Sequence, residues 1–180
     1  VALVRRALPQ RESRGAQAAD AFVEADASAL VGDAPAMRAL FRAIGRLAQA
    51  PLSVLITGET GTGKELVARA LHRESPRASR PFVALNTAAI PSELLESEVF
   101  GHVKGSFTGA ISDKPGAASS ADGGTLFLDE ICELDLNLQT KLLRFLQTST
   151  IQPVGAARPR KVNVRIVCAT NRDPLQAVRR

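Results

Sequence analysis

The sequence of 180 residues is long enough for one well-packed domain, and its 45% apolar and 23% charged residues are ordinary values for a globular protein. Aromatic residues make up only 4%, with no Trp or Tyr, which disfavours single-strand nucleic-acid binders because these stack bases on aromatic rings. No apolar run approaches the roughly 18 residues of a membrane span, and the net charge of +5 comes from dispersed Lys and Arg residues, which favours a solvated surface over a DNA-binding face.

The first part of the chain divides into a tail and the start of a domain. Residues 1–28 are rich in Ala and Arg with weak periodicity, and we interpret them as a linker or the end of an upstream signalling region. Residues 29–180 form the predicted domain. Apolar residues at helical spacing predict a helix over residues 36–49, which Pro51 ends, and the short apolar run at 52–57 predicts a buried strand.

The remaining elements alternate between helices and strands. We predict helices over residues 65–74, 92–99 and 136–148, and strands over residues 82–86, 125–129 and 162–169. Residues 101–116 are rich in Gly and Ser, which predicts an extended loop. Strands separated by helices indicate an α/β fold, a three-layer α/β/α sandwich with a mainly parallel sheet.

A glycine-rich motif follows the first predicted strand. It matches the pattern G-x-x-x-x-G-K between a strand and a helix, which is typical of phosphate-binding P-loops. Glycines let successive backbone N–H groups curl around phosphate oxygens, the helix points its positive end at the same anion, and the lysine adds a mobile charge. The predicted nucleotide-binding residues are Gly58, Glu59, Thr60, Gly61, Thr62, Gly63, Lys64 and Glu65. Glu65 stands where the general template has a Ser or Thr that helps to hold Mg²⁺.

An acidic pair ends the apolar strand at 125–129. Asp129 is predicted to hold Mg²⁺ through water, and Glu130 to polarise the attacking water as a general base. A protein that only binds nucleotide has less need of the second carboxylate. The pair therefore favours catalysis over an exposed acidic strand end.

Polar side chains also end two other predicted strands. Thr170 and Asn171 follow one, and Asn86 ends another, so all three are expected at the carboxyl edge of the sheet, where nucleotides bind. Each could merely cap a turn. Their equivalent positions favour a role in sensing the γ-phosphate.

Three strings in order resemble the AAA+ central domain of bacterial sigma-54-dependent transcription activators: GETGTGKE (58–65), ESEVFGHVKGSFTGA (96–110) and ADGGTLFLDE (121–130). The resemblance runs from about Leu30 to about Arg180. Within the family the sequence looks like the NtrC-like response regulators, and residues 129–147 are similar to a quorum-sensing regulator. The resemblance implies a P-loop NTPase of the AAA+ class that uses ATP and Mg²⁺.

The resemblance assigns further roles to residues. Glu at the position of Glu65 is usual in the family, Asn86 matches the switch partner of the catalytic Glu130, and Thr170 with Asn171 matches the first sensor. The nucleotide site is extended to Val31 and Gly32. Residues 105–110 match the GAFTGA loop that contacts sigma-54, namely Gly105, Ser106, Phe107, Thr108, Gly109 and Ala110, with Phe107 and Thr108 as the contact residues. The alternative for this segment is a turn with Phe107 buried in the core.

The family further implies a hexameric ring in the cytoplasm that couples ATP hydrolysis to remodelling of the sigma-54 RNA polymerase closed complex. Ser106, Ser119, Pro153 and Thr87 differ from the residues common in the family, and Ser119 and Pro153 stand where relatives couple nucleotide state to the loop. Residues up to Arg180 include no match to the family's arginine-finger segment, helical lid or DNA-binding helix-turn-helix. We therefore expect a fold without the lid, DNA binding only through a domain outside this chain, and slow or no turnover.

The sequence also permits two other functions. One is a truncated, non-hydrolysing module that binds nucleotide or sigma-54. The other is a different AAA+ remodeller such as a helicase loader, which the loop at 105–110 disfavours. The cysteines suggest neither a disulfide nor a metal site, and we expect Cys132 and Cys168 to be reduced thiols, with Cys168 on a buried strand.

Overall fold

The computed structural model describes Leu30 and residues 32–173; the predicted linker at 1–28 and Val31 of the predicted nucleotide site lie outside the described residues. The helices are α1 (Pro35–Ala48), α2 (Lys64–Arg73), α3 (Ser92–Phe100), α4 (Ala117–Ser120) and α5 (Leu136–Thr148). The strands are β1 (Val54–Thr57), β2 (Phe82–Asn86), β3 (Gly101–His102), β4 (Lys114–Pro115), β5 (Thr125–Asp129), β6 (Thr150–Ile151), β7 (Arg160–Lys161) and β8 (Arg165–Thr170). Short 3₁₀ turns occupy Thr87–Ala89 and Ile131–Glu133.

Four strands form a parallel sheet in the order β1-β8-β5-β2. Their apolar side chains alternate between two cores. On β5, Leu126 and Leu128 belong to one core cluster and Phe127 to the other, as the period of two in a strand requires. All four strands run in the same direction, so their carboxyl ends meet at one edge of the sheet.

Helices cover both faces of this sheet. α1 and α2 supply Met37, Leu40, Ile44, Val67 and Leu71 to the core on one face. The opposite core is filled from α3, α4 and α5, with Leu95, Phe100, Ala118, Leu138, Leu142 and Phe145. The predicted three-layer α/β/α sandwich with a parallel sheet is confirmed.

A buried arginine ties α1 to the amino end of β8. The Arg165 guanidinium donates to the Ala48 carbonyl at 2.9 Å and to the Leu47 carbonyl at 2.6 Å, at the carboxyl end of α1. Carbonyls in the last turn of a helix lack partners within the helix, and the Leu47 carbonyl also accepts from the Ala50 amide at 3.1 Å. A cation at this end also suits the helix dipole. Burial lowers the pKa of Arg165.

The predicted boundaries of two strands were wrong. β1 begins at Val54 instead of residue 52, and β8 spans Arg165–Thr170 instead of residues 162–169. The apolar character of the preceding residues misled the sequence interpretation at β8, because Val162 is buried in the approach to the strand without pairing in the sheet. Cys168 lies on β8, as predicted.

The prediction of an extended loop at 101–116 missed regular structure. β3 and β4 pair as antiparallel strands within it, and α4 follows directly. The pairing depends on two glycines, because a Cβ on Gly101 would lie 2.6 Å from the Gly116 nitrogen. The antiparallel hairpin of β6 and β7 was also not predicted. Among the described residues, no helix has the length and apolar character needed to cross a membrane.

Candidate functional site

The carboxyl ends of the four parallel strands bring the predicted catalytic residues together. Thr57 of β1 is in register with Thr170 of β8, and Asn86 of β2 is in register with Asp129 of β5. The turn of residues 58–63 leaves the end of β1 at this same edge. Side chains that are far apart in the sequence therefore line one edge of the sheet.

The turn between β1 and α2 has the backbone conformation of a phosphate cradle. Gly61 and Gly63 have φ angles of 79° and 82°, in the left-handed region that favours glycine. Thr62 braces the turn, because its hydroxyl donates to the Glu59 carbonyl at 2.7 Å.

Four backbone donors near the end of this turn and at the start of α2 are unused. In the described part of the chain, the amides of Gly61, Gly63, Lys64 and Glu65 have no protein acceptor. The first amides of α2 are free because a helix leaves its first four N–H groups without internal partners. Several free donors at the positive end of a helix of ten residues fit a phosphate anion.

Lys64 is buried beside the cradle, with 7% of its surface exposed. Its ammonium donates to the carbonyls of Gly58 and Glu59, both at 3.2 Å, and lies 3.7 Å from Glu130 Oε1. The two carbonyls are neutral and the carboxylate is more distant, so the positive charge of the Lys64 ammonium is only partly neutralised. The group is placed to bind an anion that enters the turn.

Glu130 is held in an unusual backbone conformation at the end of β5. Its φ of 55° makes it one of two non-glycine residues in the described ranges with a positive φ. The Thr87 hydroxyl donates to the carbonyls of Asp129 and Glu130, at 2.8 and 2.9 Å, and so fixes the backbone on both sides of this residue. Such strain persists where surrounding structure stabilises it, often at functional sites.

The role of Thr87 was missed by the sequence interpretation. A threonine that follows a strand is a common turn residue, and its partners lie 42 and 43 positions away in the sequence. Only the pairing of β2 with β5, which the sequence did not predict, brings these residues together.

Asn171 connects the acidic pair to the P-loop. Its backbone amide donates to Glu130 Oε2 at 3.1 Å, and its side-chain nitrogen donates to Thr60 Oγ1 at 3.1 Å. Thr170, by contrast, is fully buried, and its hydroxyl accepts from the Arg172 amide at 3.1 Å. Of the two predicted sensor residues, only Asn171 reaches the P-loop with its side chain.

The resemblance paired Asn86 with Glu130 and placed Glu65 in the nucleotide site, but both side chains make other contacts in the structure. Asn86 Oδ1 accepts from the Ala88 amide at 3.0 Å and caps the 3₁₀ turn, and no hydrogen bond joins Asn86 to Glu130. Glu65 Oε1 accepts from Arg69 at 2.7 and 3.0 Å on the exposed face of α2. The switch role of Asn86 stays a prediction.

Asp129 is the candidate ligand for Mg²⁺. Its Oδ1 accepts from the Glu130 amide at 3.0 Å, which fixes the carboxylate at the strand end. A carboxylate beside a phosphate cradle fits the way proteins hold Mg²⁺, with few carboxylates and the substrate phosphates. Asp129, together with phosphate oxygens in the cradle, would therefore fit the ligands that Mg²⁺ takes.

The loop at residues 105–110 is closed by its own backbone. The Gly105 amide donates to the Ala110 carbonyl at 2.8 Å, and the Ala110 amide donates to the Phe107 carbonyl at 3.0 Å. Gly105 and Gly109 have φ angles of 80° and 104°, and space is open around both. The two glycines therefore serve the turn itself and not a close packing contact.

Phe107 lies on the surface of this loop. It is 37% exposed, and its ring packs edge-on against His102, with the ring centroids 5.0 Å apart. His102 Nδ1 is in turn 2.7 Å from Ser97 Oγ on α3. The structure thus places Phe107 outside the core, which excludes the alternative of a buried turn.

The β6–β7 hairpin supports the base of the loop. The Val103 amide donates to the Val154 carbonyl at 3.0 Å, and the Val154 amide donates to the Gly101 carbonyl at 2.8 Å. Pro153 directly precedes this contact.

Comparison with known proteins identifies the family of this fold and site. The family model described as the Sigma-54 interaction domain matches residues 30–180. The chain belongs to this family. This sigma-54 interaction domain is 58% identical over 148 residues to the regulatory protein LuxO of Vibrio cholerae, covering 82% of this chain and 32% of that protein. It is 52% identical over 178 residues to the DNA-binding transcriptional regulator NtrC of Escherichia coli, covering 99% of this chain and 38% of that protein.

A solved structure shares the fold of the sigma-54 interaction domain. The crystal structure of NtrX from Brucella abortus in complex with ATP has a TM-score of 0.75 and 39% identity, over 83% of this chain and 33% of that one. The chain thus spans about a third of the length of the relatives it matches.

Proposed function

We propose that this chain is the ATP-binding domain of a bacterial transcription activator, which couples ATP hydrolysis to remodelling of the sigma-54 RNA polymerase closed complex. The observation that carries the proposal is the contact of Asn171 with both Glu130 and Thr60. It joins the candidate general base to the phosphate cradle. A protein that only bound phosphate would not need this connection.

Each part of the site has a role in this reaction. The free amides of the turn and Lys64 bind the phosphates, and Asp129 holds Mg²⁺, which offsets phosphate charge when it is bound. Glu130 accepts a proton from the attacking water. Asn171 orients Glu130 through its backbone amide and senses the occupied cradle through Thr60.

The proposal extends to partners and place of action. Phe107 and Thr108 contact sigma-54 at the tip of the closed loop, which the exposure of Phe107 permits. Subunits assemble as a hexameric ring in the cytoplasm, and DNA is bound by a domain outside this chain. The resemblance of the loop to the family's contact loop supports the assignment of this partner.

Nucleotide binding is tested with the fluorescent analogue mant-ATP. We expect saturable binding by the chain and a loss of about a hundredfold or more in affinity for Lys64→Met, because a weakly compensated buried cation meets the phosphates. Lys161→Met changes a lysine on β7 that is remote from the cradle and serves as the control. Equal binding by both variants would contradict the assignment of the P-loop.

Hydrolysis is tested in the full-length protein that contains this domain. Glu130→Gln keeps the shape of the side chain but cannot accept the proton, so we expect ATP binding to remain while turnover falls by a factor of about 10²–10⁴. If the parent protein binds ATP but never hydrolyses it, the non-hydrolysing module is the correct function.

The sigma-54 contact is tested by a pull-down with ADP–aluminium fluoride. Phe107→Ala should abolish capture of sigma-54, whereas Leu52→Ala removes another exposed apolar side chain as the control. Absence of capture by the parent protein would favour a different AAA+ remodeller.

A further inference from the structure

A cavity of about 370 Å³ opens between α3, α5 and the β6–β7 hairpin. None of its lining residues belongs to the P-loop or to the strand ends of the nucleotide site. Phe100 and Ile151 form part of its lining and belong to the buried core, and Pro153, Val154 and Pro159 add apolar surface. The volume lies in the range of about 300–1,000 Å³ that is typical of small-molecule sites.

The wall that the hairpin contributes is fixed before any ligand binds. Gln152 Nε2 donates to the Ala156 carbonyl at 2.8 Å, and the Ala156 amide donates to the Pro153 carbonyl at 2.9 Å. A wall that is already ordered loses little conformational entropy on binding.

The polar part of the lining carries a net positive charge. Lys141 Nζ lies 2.5 Å from Glu96 Oε1, so these two charges offset each other. Arg144 lies on the same helix, and its guanidinium has no hydrogen-bond or ion-pair partner among the residues that the structure describes. The hairpin adds positive charge nearby, since residues 149–164 include three basic residues and no acidic one.

We propose that this cavity binds a compact organic anion. Its apolar body contacts Phe100, Ile151 and Pro159, and its carboxylate or sulfonate pairs with Arg144. A guanidinium offers two parallel N–H groups, which matches the geometry of such an anion. The apolar lining selects against inorganic phosphate, which has no surface to bury there.

The site is placed to act on the loop at 105–110. The hairpin hydrogen-bonds to Gly101 and Val103 at the base of the loop through Val154, which also lines the cavity. Gly155, another lining residue, packs so closely on the loop that an added Cβ would lie 2.6 Å from Ser106 Cβ. A ligand in the cavity therefore touches the segment that supports the loop.

The test uses two probes that differ only in charge. The ¹⁵N-labelled chain is titrated with naphthalene-2-carboxylate and with the uncharged naphthalene-2-carboxamide, and amide chemical shifts are followed by NMR. We expect saturable shifts at Ile151, Val154 and Gly155, and about tenfold tighter binding of the carboxylate because only this probe can form a charge-assisted hydrogen bond.

Arg144→Gln should remove this preference, so that both probes bind with the same affinity. Arg46→Gln alters an exposed arginine on α1 and should keep the preference. Equal affinities in the parent chain, a preference that survives in Arg144→Gln, or shifts confined to residues 58–65 would each overturn the proposal. Neither readout needs ATP hydrolysis or sigma-54, so failure here is distinct from failure of the proposed function.

Discussion

Replacing Thr87 with valine is the sharpest test of how the acidic strand end is held. The Thr87 side chain is 3% exposed, and its hydroxyl lies 2.8 Å from the Asp129 carbonyl and 2.9 Å from the Glu130 carbonyl. Valine has nearly the same shape but no hydroxyl. The substitution therefore removes the hydrogen bonds and leaves the packing almost unchanged.

The expected cost follows from the number of protons involved. A hydroxyl has one proton, so the two carbonyls share a single donor, and the loss corresponds to about one hydrogen bond. A buried acceptor that loses its donor lowers the free energy of unfolding by about 1–3 kcal/mol. Because the two carbonyls share one hydroxyl proton, we expect a loss of about 1–2 kcal/mol for Thr87→Val. For a domain of this size the melting temperature falls about 2–4 °C per kcal/mol, which gives a decrease of about 2–8 °C.

The assay is thermal and urea unfolding followed by circular dichroism. Thr87→Ser keeps the hydroxyl and loses one methyl group, so it measures the packing contribution separately. Thr140→Val removes a hydroxyl that bonds the Leu136 carbonyl on the exposed face of α5, and it should change stability by less than about 0.5 kcal/mol.

Two results would refute this reasoning about Thr87. One is a Thr87→Val variant that unfolds at the same temperature as the parent chain. The other is a Thr140→Val variant that is destabilised as much as Thr87→Val, since the cost would then not depend on the buried contacts of the Thr87 hydroxyl.

Three further predictions concern the rest of the fold. Gly124→Ala should lower the free energy of unfolding by about 3 kcal/mol or more in urea unfolding, because the added Cβ would lie 2.0 Å from the Pro81 carbonyl oxygen. Gly45→Ala should raise it by about 0.5–1 kcal/mol in the same assay, because this helical glycine has open space around it. Burial lowers the pKa of His72 below its unfolded value of 6.5. The unfolded chain therefore takes up the proton first, and the free energy of unfolding falls as the pH drops through about 6.5. Urea unfolding of His72→Gln should depend less on pH in this window. Burial raises the pKa of Cys168 to about 12, so mass spectrometry should find that iodoacetamide alkylates Cys132 well before Cys168 in the folded chain at about pH 8.

The general position of the site could be predicted from the sequence because it depends on topology. Strands that alternate with helices form a parallel sheet, and the ends of parallel strands share an edge. This logic placed the P-loop, the acidic pair and Asn171 together. It could not give the contact of Asn171 with Thr60, because that distance depends on how the two loops turn after leaving their strands.

The short strands could not be predicted for a different reason. β3, β4, β6 and β7 have two residues each, too few for an alternating apolar pattern to appear. Their pairing depends on close backbone contacts between distant residues, such as Gly101 with Gly116. A glycine in a loop is ordinary in the sequence, and only the folded chain shows which glycines are required by a neighbouring backbone.

The contacts of Glu130 join the acidic end of β5 to Asn171 and to the lysine of the P-loop. Its backbone is fixed by Thr87, while its carboxylate is shared between the Asn171 amide and the more distant Lys64 ammonium. A phosphate in the cradle competes with the carbonyls that now accept from Lys64, and it also competes with Glu130 for that cation. We therefore expect binding of a phosphate to leave the carboxylate with the Asn171 amide as its remaining fixed partner. The Thr87 hydrogen bonds, which fix the backbone on both sides of this residue, then limit how far the carboxylate can move when its partner cation moves.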